Sequence, residues 1–139
     1  HILKKKIINK KNHLFINKHA SILPSYKGLM PYLWTKIDSA DNGITFHLVN
    51  EKIDSGKIIY QKKFKVKFNS MIEFYLDIFD KFPFYFLESL KNLKKKNFTK
   101  PKSKKAYYTI PTNRDYSNFL KKKGNIILFN DFFKINKLL

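Results

Sequence analysis

Three side chains in the first half of the sequence have types and spacing suited to proton-assisted chemistry at a carbonyl: Asn17, His19 and Asp54. Asn17 and His19 stand two residues apart at the end of Leu14-Phe15-Ile16, an apolar run that reads as a buried strand. Extended backbone places alternate side chains on one side. An amide and an imidazole would therefore project together into the crevice beyond the strand's carboxyl end, where α/β sheets bind ligands. Neutral donors in that position can hold a developing oxyanion. Asp54, in the tight loop Ile53-Asp54-Ser55-Gly56, supplies a carboxylate that can set the protonation of the imidazole and collect a proton. The trio fits acyl transfer without a covalent intermediate. It fits metal binding poorly, because His19, His47 and Asp54 lack the short helical or loop spacing of a ligand set, and no metal is expected.

The elements that must position these groups can be read in order. The first thirteen residues suit a short helix solvated by lysines, with Ile2, Leu3, Ile7 and Ile8 apolar. After the Leu14-Phe15-Ile16 strand comes a loop marked by Pro24, Gly28 and Pro31, and Pro31 opens a predicted helix to Ile37. Asp41-Asn42-Gly43 is a turn, and residues 44–49 read as a strand carrying Thr45 and His47. Residues 57–68 are predicted as a further strand, half-buried where Phe64, Val66 and Phe68 alternate with lysines. Ser70 with Glu73 is a capping-box signature. It opens a long amphipathic helix to about Leu93, disturbed near Pro83. In the tail, Tyr107-Tyr108 reads as a short strand, and Thr112 with Asp115 caps a helix through Leu120 that stops at Gly124. Ile126-Ile127-Leu128 reads as a last strand. The mixture is an α/β fold with a mixed sheet.

Composition narrows the function classes. The chain has 139 residues, 43% of them hydrophobic and 17% aromatic, enough for a packed core. There is no cysteine, which excludes disulfides and thiolate metal sites. No uncharged run approaches the roughly 20 residues of a membrane-spanning helix, so a cytoplasmic protein without a membrane partner is expected. The net charge is +19, but Arg114 is the single arginine among 29 basic residues. Lys, Asn, Ile and Phe, all with A/T-rich codons, fill half of the chain, which points to compositional drift. A surface selected for phosphates or base edges usually recruits the guanidinium fork. The lysines read as a solvated face that attracts polyanions without discrimination.

The pattern Asn17-x-His19-x-Ser21-x-Leu23-Pro24-x-Tyr26-Lys27-Gly28, followed by Gly43-Ile44-Thr45-x-His47 and Asp54-x-Gly56, resembles the formyltransferases that use 10-formyltetrahydrofolate. That family includes glycinamide ribonucleotide formyltransferase, methionyl-tRNA formyltransferase and the sugar-nucleotide N-formyltransferases. The resemblance implies a Rossmann-like domain of which this chain carries the C-terminal half, with a long helix and a short α/β tail. Residues 1–98 would be the catalytic domain lacking its N-terminal half, 99–105 a lysine-rich linker, and 106–139 a tail of strand-helix-strand character. Asn17, His19 and Asp54 match the family's catalytic residues. Ile2 and Leu3, with Asn50, Glu51, Lys52 and Ile53, match positions around the folate, and Ser21, Leu23, Pro24 and Gly28 would shape the loop beside the reacting centre. The co-substrate implied is 10-formyltetrahydrofolate.

Taken one at a time these residues have duller readings. Asn17 can cap a strand end, His19 can be a satisfied structural histidine, and Asp54 can be a turn residue; His47, inside a strand, reads as structural or supporting. The constellation, not any member of it, carries the resemblance. The partner expected is a small amine of amino-sugar type, since Gly28-Leu29-Met30-Pro31-Tyr32-Leu33-Trp34 and the short tail look closer to the sugar-directed branch than to the purine or tRNA branches. Methionyl-tRNA or glycinamide ribonucleotide formylation, an inactive formyltransferase-like fragment and a lysine-rich nucleic-acid-binding module are the alternatives. A missing upstream half is expected as a partner, with little activity alone, and a homodimer is left open.

Overall fold

In the computed structural model, which describes residues 4–101 and 107–136, two antiparallel pairings decide what faces the site. Strand β1 (Ile16–His19) pairs with β3 (Gly43–Leu48), and β3 with β4 (Ile58–Lys63), in the order β1-β3-β4. The register sets Asn17 opposite His47 and His19 opposite Thr45. Directly opposed residues share a face, so one face of the β1–β3 ladder is polar and carries Asn17, His19, Thr45 and His47. The register slips between Phe46 and His47, where β4 inserts Ile59, a bulge of the kind that re-aims side chains next to active sites.

The opposite face is aromatic and lies under α3 (Met71–Lys94). Phe46 meets Phe82 and Phe86 at ring-centroid distances of 5.9 and 6.2 Å, and Tyr60 meets Tyr85 at 6.0 Å. Ser70 starts α3 as its N-cap, accepting from the Glu73 N–H. The reciprocal bond of the capping box is displaced by one residue, from the Asn69 N–H to Glu73 Oε2 at 2.7 Å. Pro83 does not end the helix. Phe74 and Ile78 before it and Tyr85 and Ser89 after it are all buried, so packing on both sides holds the two halves in line where propensity alone would separate them.

Three sequence expectations change. The first strand occupies residues 16–19 rather than 14–16, because the ladder with β3 begins at the Ile16–Leu48 pair and leaves Leu14 67% exposed. The strand at 57–68 ends at Lys63: the Phe64 N–H turns to the Asn42 carbonyl at 2.9 Å, and beyond it Phe64 and Phe68 are buried while Val66 is 67% exposed. Ile126-Ile127-Leu128 is not a strand. The Asn125 and Ile126 carbonyls instead accept from Met71 and Ile72 at 2.8 and 3.0 Å, capping the free N–H groups of α3's first turn. The chain then enters a helix, Phe129–Asn136. Its buried Asp131 accepts from Ser70 Oγ at 2.6 Å and from the Leu128 N–H at 2.7 Å. The N-terminal helix, α1, spans only Lys5–Ile8.

The tail packs on the body. Tyr107–Tyr108 (β5) pairs in parallel with Lys27–Gly28 (β2). Helix α4 (Asn113–Lys121), capped by the reciprocal Thr112–Asp115 box, buries Phe119 against Tyr32 of α2 (Pro31–Ile37) with ring centroids 6.3 Å apart. Helix α5 (Phe129–Asn136) packs against α3.

Candidate active site

The polar face of the ladder ends where the 53–56 loop crosses it. Asp54 adopts a left-handed backbone (φ 45°), a conformation Asp tolerates better than most residues. The turn is possible because Gly56 lies against the end of β3: a Cβ there would fall 1.6 Å from the Leu48 carbonyl oxygen. The loop thereby folds the Asp54 carboxylate back over β1 and β3. Its Oδ2 accepts from the Gly28 N–H at 2.8 Å and lies 3.5 Å from His19 Nδ1. Its Oδ1 accepts from Asn17 Nδ2 at 3.3 Å and lies 3.4 Å from His47 Nε2. Asn17, His19 and Asp54, separated by up to 37 residues, are thus brought into one cluster, and His47 completes it.

Main-chain carbonyls define the tautomers. A carbonyl only accepts, so His19 Nε2 must donate to the Tyr26 carbonyl at 2.7 Å, and His47 Nδ1 to the Leu48 carbonyl at 3.0 Å. When the rings are neutral, His19 Nδ1 and His47 Nε2 are therefore the bare nitrogens, and both face Asp54. His47 Nε2 accepts from Asn17 Nδ2 at 3.1 Å. Two bare ring nitrogens thus converge on one carboxylate, a place suited to receiving a proton. Burial lowers the His19 pKa, and the nearby His47 and Lys18 lower it further; Asp54 and the Tyr26 carbonyl oppose this without cancelling it. Burial by itself would raise the Asp54 pKa, but the hydrogen bond that His47 gives when its ring is protonated, the positive charge of protonated His19 and the Gly28 N–H outweigh it, and the net shift is downward. Near neutral pH the pair is an ionised carboxylate beside a neutral imidazole.

Beside the cluster opens a cleft of about 290 Å³. Asn17, His47 and Asp54 form its polar wall, and Asn50, Glu51, Lys52 and Ile53 form its rim, with Ile8, Phe15, Ile16 and Val49 as apolar lining. His19 does not line the cleft; it touches Asp54 and is 6% exposed. Ile2 and Leu3 lie outside the described residues. The loop residues sit beside the cluster. Ser21, fully buried, donates from Oγ to the Ser25 carbonyl at 2.8 Å. The Leu23 N–H donates to Thr45 Oγ1 at 3.2 Å, and the Leu23 carbonyl accepts from Gln61 Nε2 at 2.9 Å. Pro24 follows within that loop, and Gly28 donates to Asp54.

Two residues gain weight from the structure. His47 meets Asn17 and Asp54 only because of the β1–β3 register, which no local pattern specifies. Lys27 is 9% exposed and donates from Nζ to Ser55 Oγ at 3.0 Å, which ties the Asp54 loop to β2; the only sign of it in the sequence was its place in Tyr26-Lys27-Gly28. Among the described residues no group of three His, Cys, Asp or Glu side chains is arranged to hold a metal ion, and no helix is long and apolar enough to cross a membrane.

A carboxylate, two imidazoles and an amide thus meet beside a partly apolar cleft. A family model described as formyl transferase matches residues 1–79, more than half of the chain, and the chain belongs to that family. The resemblance drawn from the residues is borne out, as is the α/β class. The chain is 38% identical over 66 residues to the methionyl-tRNA formyltransferase of Thermodesulfovibrio yellowstonii, a match covering 47% of this chain and 21% of the relative. It thus spans about a fifth of the length of the curated relatives it matches. Among solved structures it is similar to the formyltransferase PseJ from Anoxybacillus kamchatkensis, crystallised with UDP-4,6-dideoxy-4-formamido-L-AltNAc and tetrahydrofolate. That match has a TM-score of 0.68 and 24% identity, and covers 87% of this chain and 64% of that one. A 4-N formyltransferase from Francisella tularensis gives a TM-score of 0.68 and 25% identity over 88% of this chain and 57% of that one.

Proposed function

We propose that this chain carries the catalytic cluster of an N-formyltransferase that moves a formyl group from 10-formyltetrahydrofolate to a primary amine. The observation that carries the reading is the convergence of Asn17, His19 and His47 on Asp54 beside the cleft. The cleft suits a folate: Ile8, Phe15, Ile16, Val49 and Ile53 offer an apolar bed for a flat heterocycle, and residues 50–52 offer polar groups at its rim. Such a co-substrate brings an activated formyl carbon. The chain's residues then have three tasks. Asn17 turns an N–H from Asp54 or His47 to the oxygen on which negative charge develops. Asp54 takes the proton that the attacking amine must lose. His19 Nδ1, bare and 3.5 Å away, shares that proton with Asp54, and Asp54, which lines the cleft, returns it to the leaving nitrogen, so that no net proton is gained or lost.

The amine we favour is a small amino-sugar-type substrate. The structural match to the Francisella 4-N formyltransferase, which covers 88% of this chain, supports this. The open edge of β1, which among the described residues has β3 as its one neighbour in the sheet, suits pairing with a further segment of the family domain. The test is formyl transfer from 10-formyltetrahydrofolate to amino-sugar nucleotides, by the chain alone and with an upstream family segment supplied. Asp54→Asn should reduce transfer by ~10²–10⁴ while the protein stays folded. Undiminished transfer in that variant would refute the assignment. Transfer to methionyl-tRNA but not to amino sugars would overturn the choice of amine.

A further inference from the structure

The two polar contacts that orient the Asp54–His19 pair come from one short stretch of main chain. The Tyr26 carbonyl accepts from His19 Nε2 at 2.7 Å, and two residues later the Gly28 N–H donates to Asp54 Oδ2 at 2.8 Å. This stretch belongs to no long element: Lys27 and Gly28 form a two-residue strand whose partner strand is Tyr107–Tyr108. Tyr26 (φ 56°) and Met30 (φ 50°) have left-handed backbone, with Gly28 (φ 99°) between them, so the segment departs from relaxed geometry at two non-glycine residues out of five and must be held from outside.

Tyr108 supplies that hold in three ways. Its carbonyl accepts from the Leu29 N–H at 2.9 Å. Its carbonyl oxygen also lies so close to Gly28 that an added Cβ would come within 2.1 Å of it. Its ring, half-buried, stacks on Tyr26 at 5.6 Å and packs on Trp34 at 4.8 Å, and the Trp34 indole N–H donates to the Leu29 carbonyl at 2.9 Å. The segment is clasped between Trp34 of α2 and Tyr108 of the tail.

We propose that Tyr108 is a positioning residue for the reacting pair: by clasping residues 26–29 it aims the Gly28 N–H at Asp54 and the Tyr26 carbonyl at His19. The tail is thereby part of the active site's support, 54 residues along the chain from the carboxylate it aligns. The consequence for rate rests on the formyl-transfer reading, but the positioning does not, and it is measured without turnover. The groups facing Asp54 are His19 from β1, His47 from β3, Asn17 and the Gly28 N–H, with the Lys27 ammonium held on Ser55 next to it. Loss of the Gly28 donor should therefore raise the Asp54 pKa from its lowered position.

The experiment is NMR on the intact chain, comparing the unsubstituted protein with Tyr108→Ala and Tyr108→Phe. The Gly28 amide proton reports its bond to the carboxylate, its pH titration reports Asp54, and the His19 ring resonances report the Tyr26 contact. Tyr108→Ala removes two ring contacts and should reduce hydrogen-exchange protection of Gly28 roughly tenfold or more. It should also move the Gly28 titration up toward the ordinary carboxylate range and shift the His19 ring. Tyr108→Phe keeps both stacks and the backbone, and should restore all three. If Tyr108→Ala does not fold, Tyr108→Leu, which keeps apolar cover without a stack, is read in its place. A folded Ala or Leu variant with unchanged Gly28 protection, Gly28 titration and His19 shifts would overturn the proposal. The same NMR changes without any formyl transfer, before or after substitution, would uphold the positioning and count against the transfer reading instead.

Discussion

Gly56→Ala tests how the Asp54 loop is closed. The added methyl carbon would stand 1.6 Å from the Leu48 carbonyl oxygen and 2.7 Å from the Leu48 carbonyl carbon. Both are backbone atoms at the end of β3, so no side-chain rotation relieves the overlap. Reaching ordinary contact requires the loop and the strand end to separate by roughly 1.5–2 Å. Overpacking of this kind costs ~1–3 kcal/mol. The Leu48 N–H bond to the Lys57 carbonyl, at 2.9 Å, bridges the same two segments, and losing it adds about 1 kcal/mol. The expected destabilisation is about 3 kcal/mol, a large share of the roughly 7–20 kcal/mol that 0.05–0.15 kcal/mol per residue implies for a chain of this size. Urea unfolding followed by circular dichroism measures it, and the midpoint of a thermal scan should fall by roughly 10 °C. A loss below about 0.5 kcal/mol, with the Gly28 amide undisturbed, would refute the argument that this close approach holds the loop.

Acidification should weaken the fold in two windows, for reasons of proton linkage. His19 has a folded pKa below its ordinary 6.5, so the unfolded chain binds the proton first; stability is full above about 6.5 and falls as pH drops from there until the folded ring is protonated as well. Asp54, also lowered, adds a loss that begins below its ordinary 3.8. Urea titrations from about pH 7.5 to about pH 5 read the first window; a flat profile there, or one unchanged in His19→Gln, would contradict the lowered His19 pKa. Phe119→Ala should cost ~3–4 kcal/mol, because the ring is 1% exposed and joins the central core through Tyr32. If the tail folds as one unit with the body, chemical denaturation of that variant followed by Trp34 fluorescence and by circular dichroism should give coincident curves; because Trp34 packs on Tyr108 of the tail, a fluorescence transition that precedes the main circular-dichroism transition would show that the tail melts separately.

Local residue types determined much about this protein. The alternation at Asn17 and His19, Pro31 at the start of α2 and the caps at Ser70 and Thr112 each rest on interactions spanning a few residues, so the sequence alone shows them, whereas the turn expected at Asp41-Asn42-Gly43 falls at Asp38-Ser39 and Gly43 opens β3. The family resemblance was legible for the same reason: its motif is compact, running from Asn17 to Gly28 with Asp54 and Gly56 beyond. What required tertiary structure depends on partners remote in the chain. Val66 faces solvent although it alternates with buried Phe64 and Phe68, because the chain leaves the sheet at Lys63. Ile126 gives its carbonyl to α3 instead of to a strand, because the helix start has free N–H groups that need acceptors. His47 joins the cluster through the β1–β3 register, and Asp54 reaches β1 only because Gly56 permits contact with Leu48. The tail's hold on residues 26–29 through Tyr108 is likewise invisible locally: a two-residue strand has no period to detect, and its partner lies about eighty residues away.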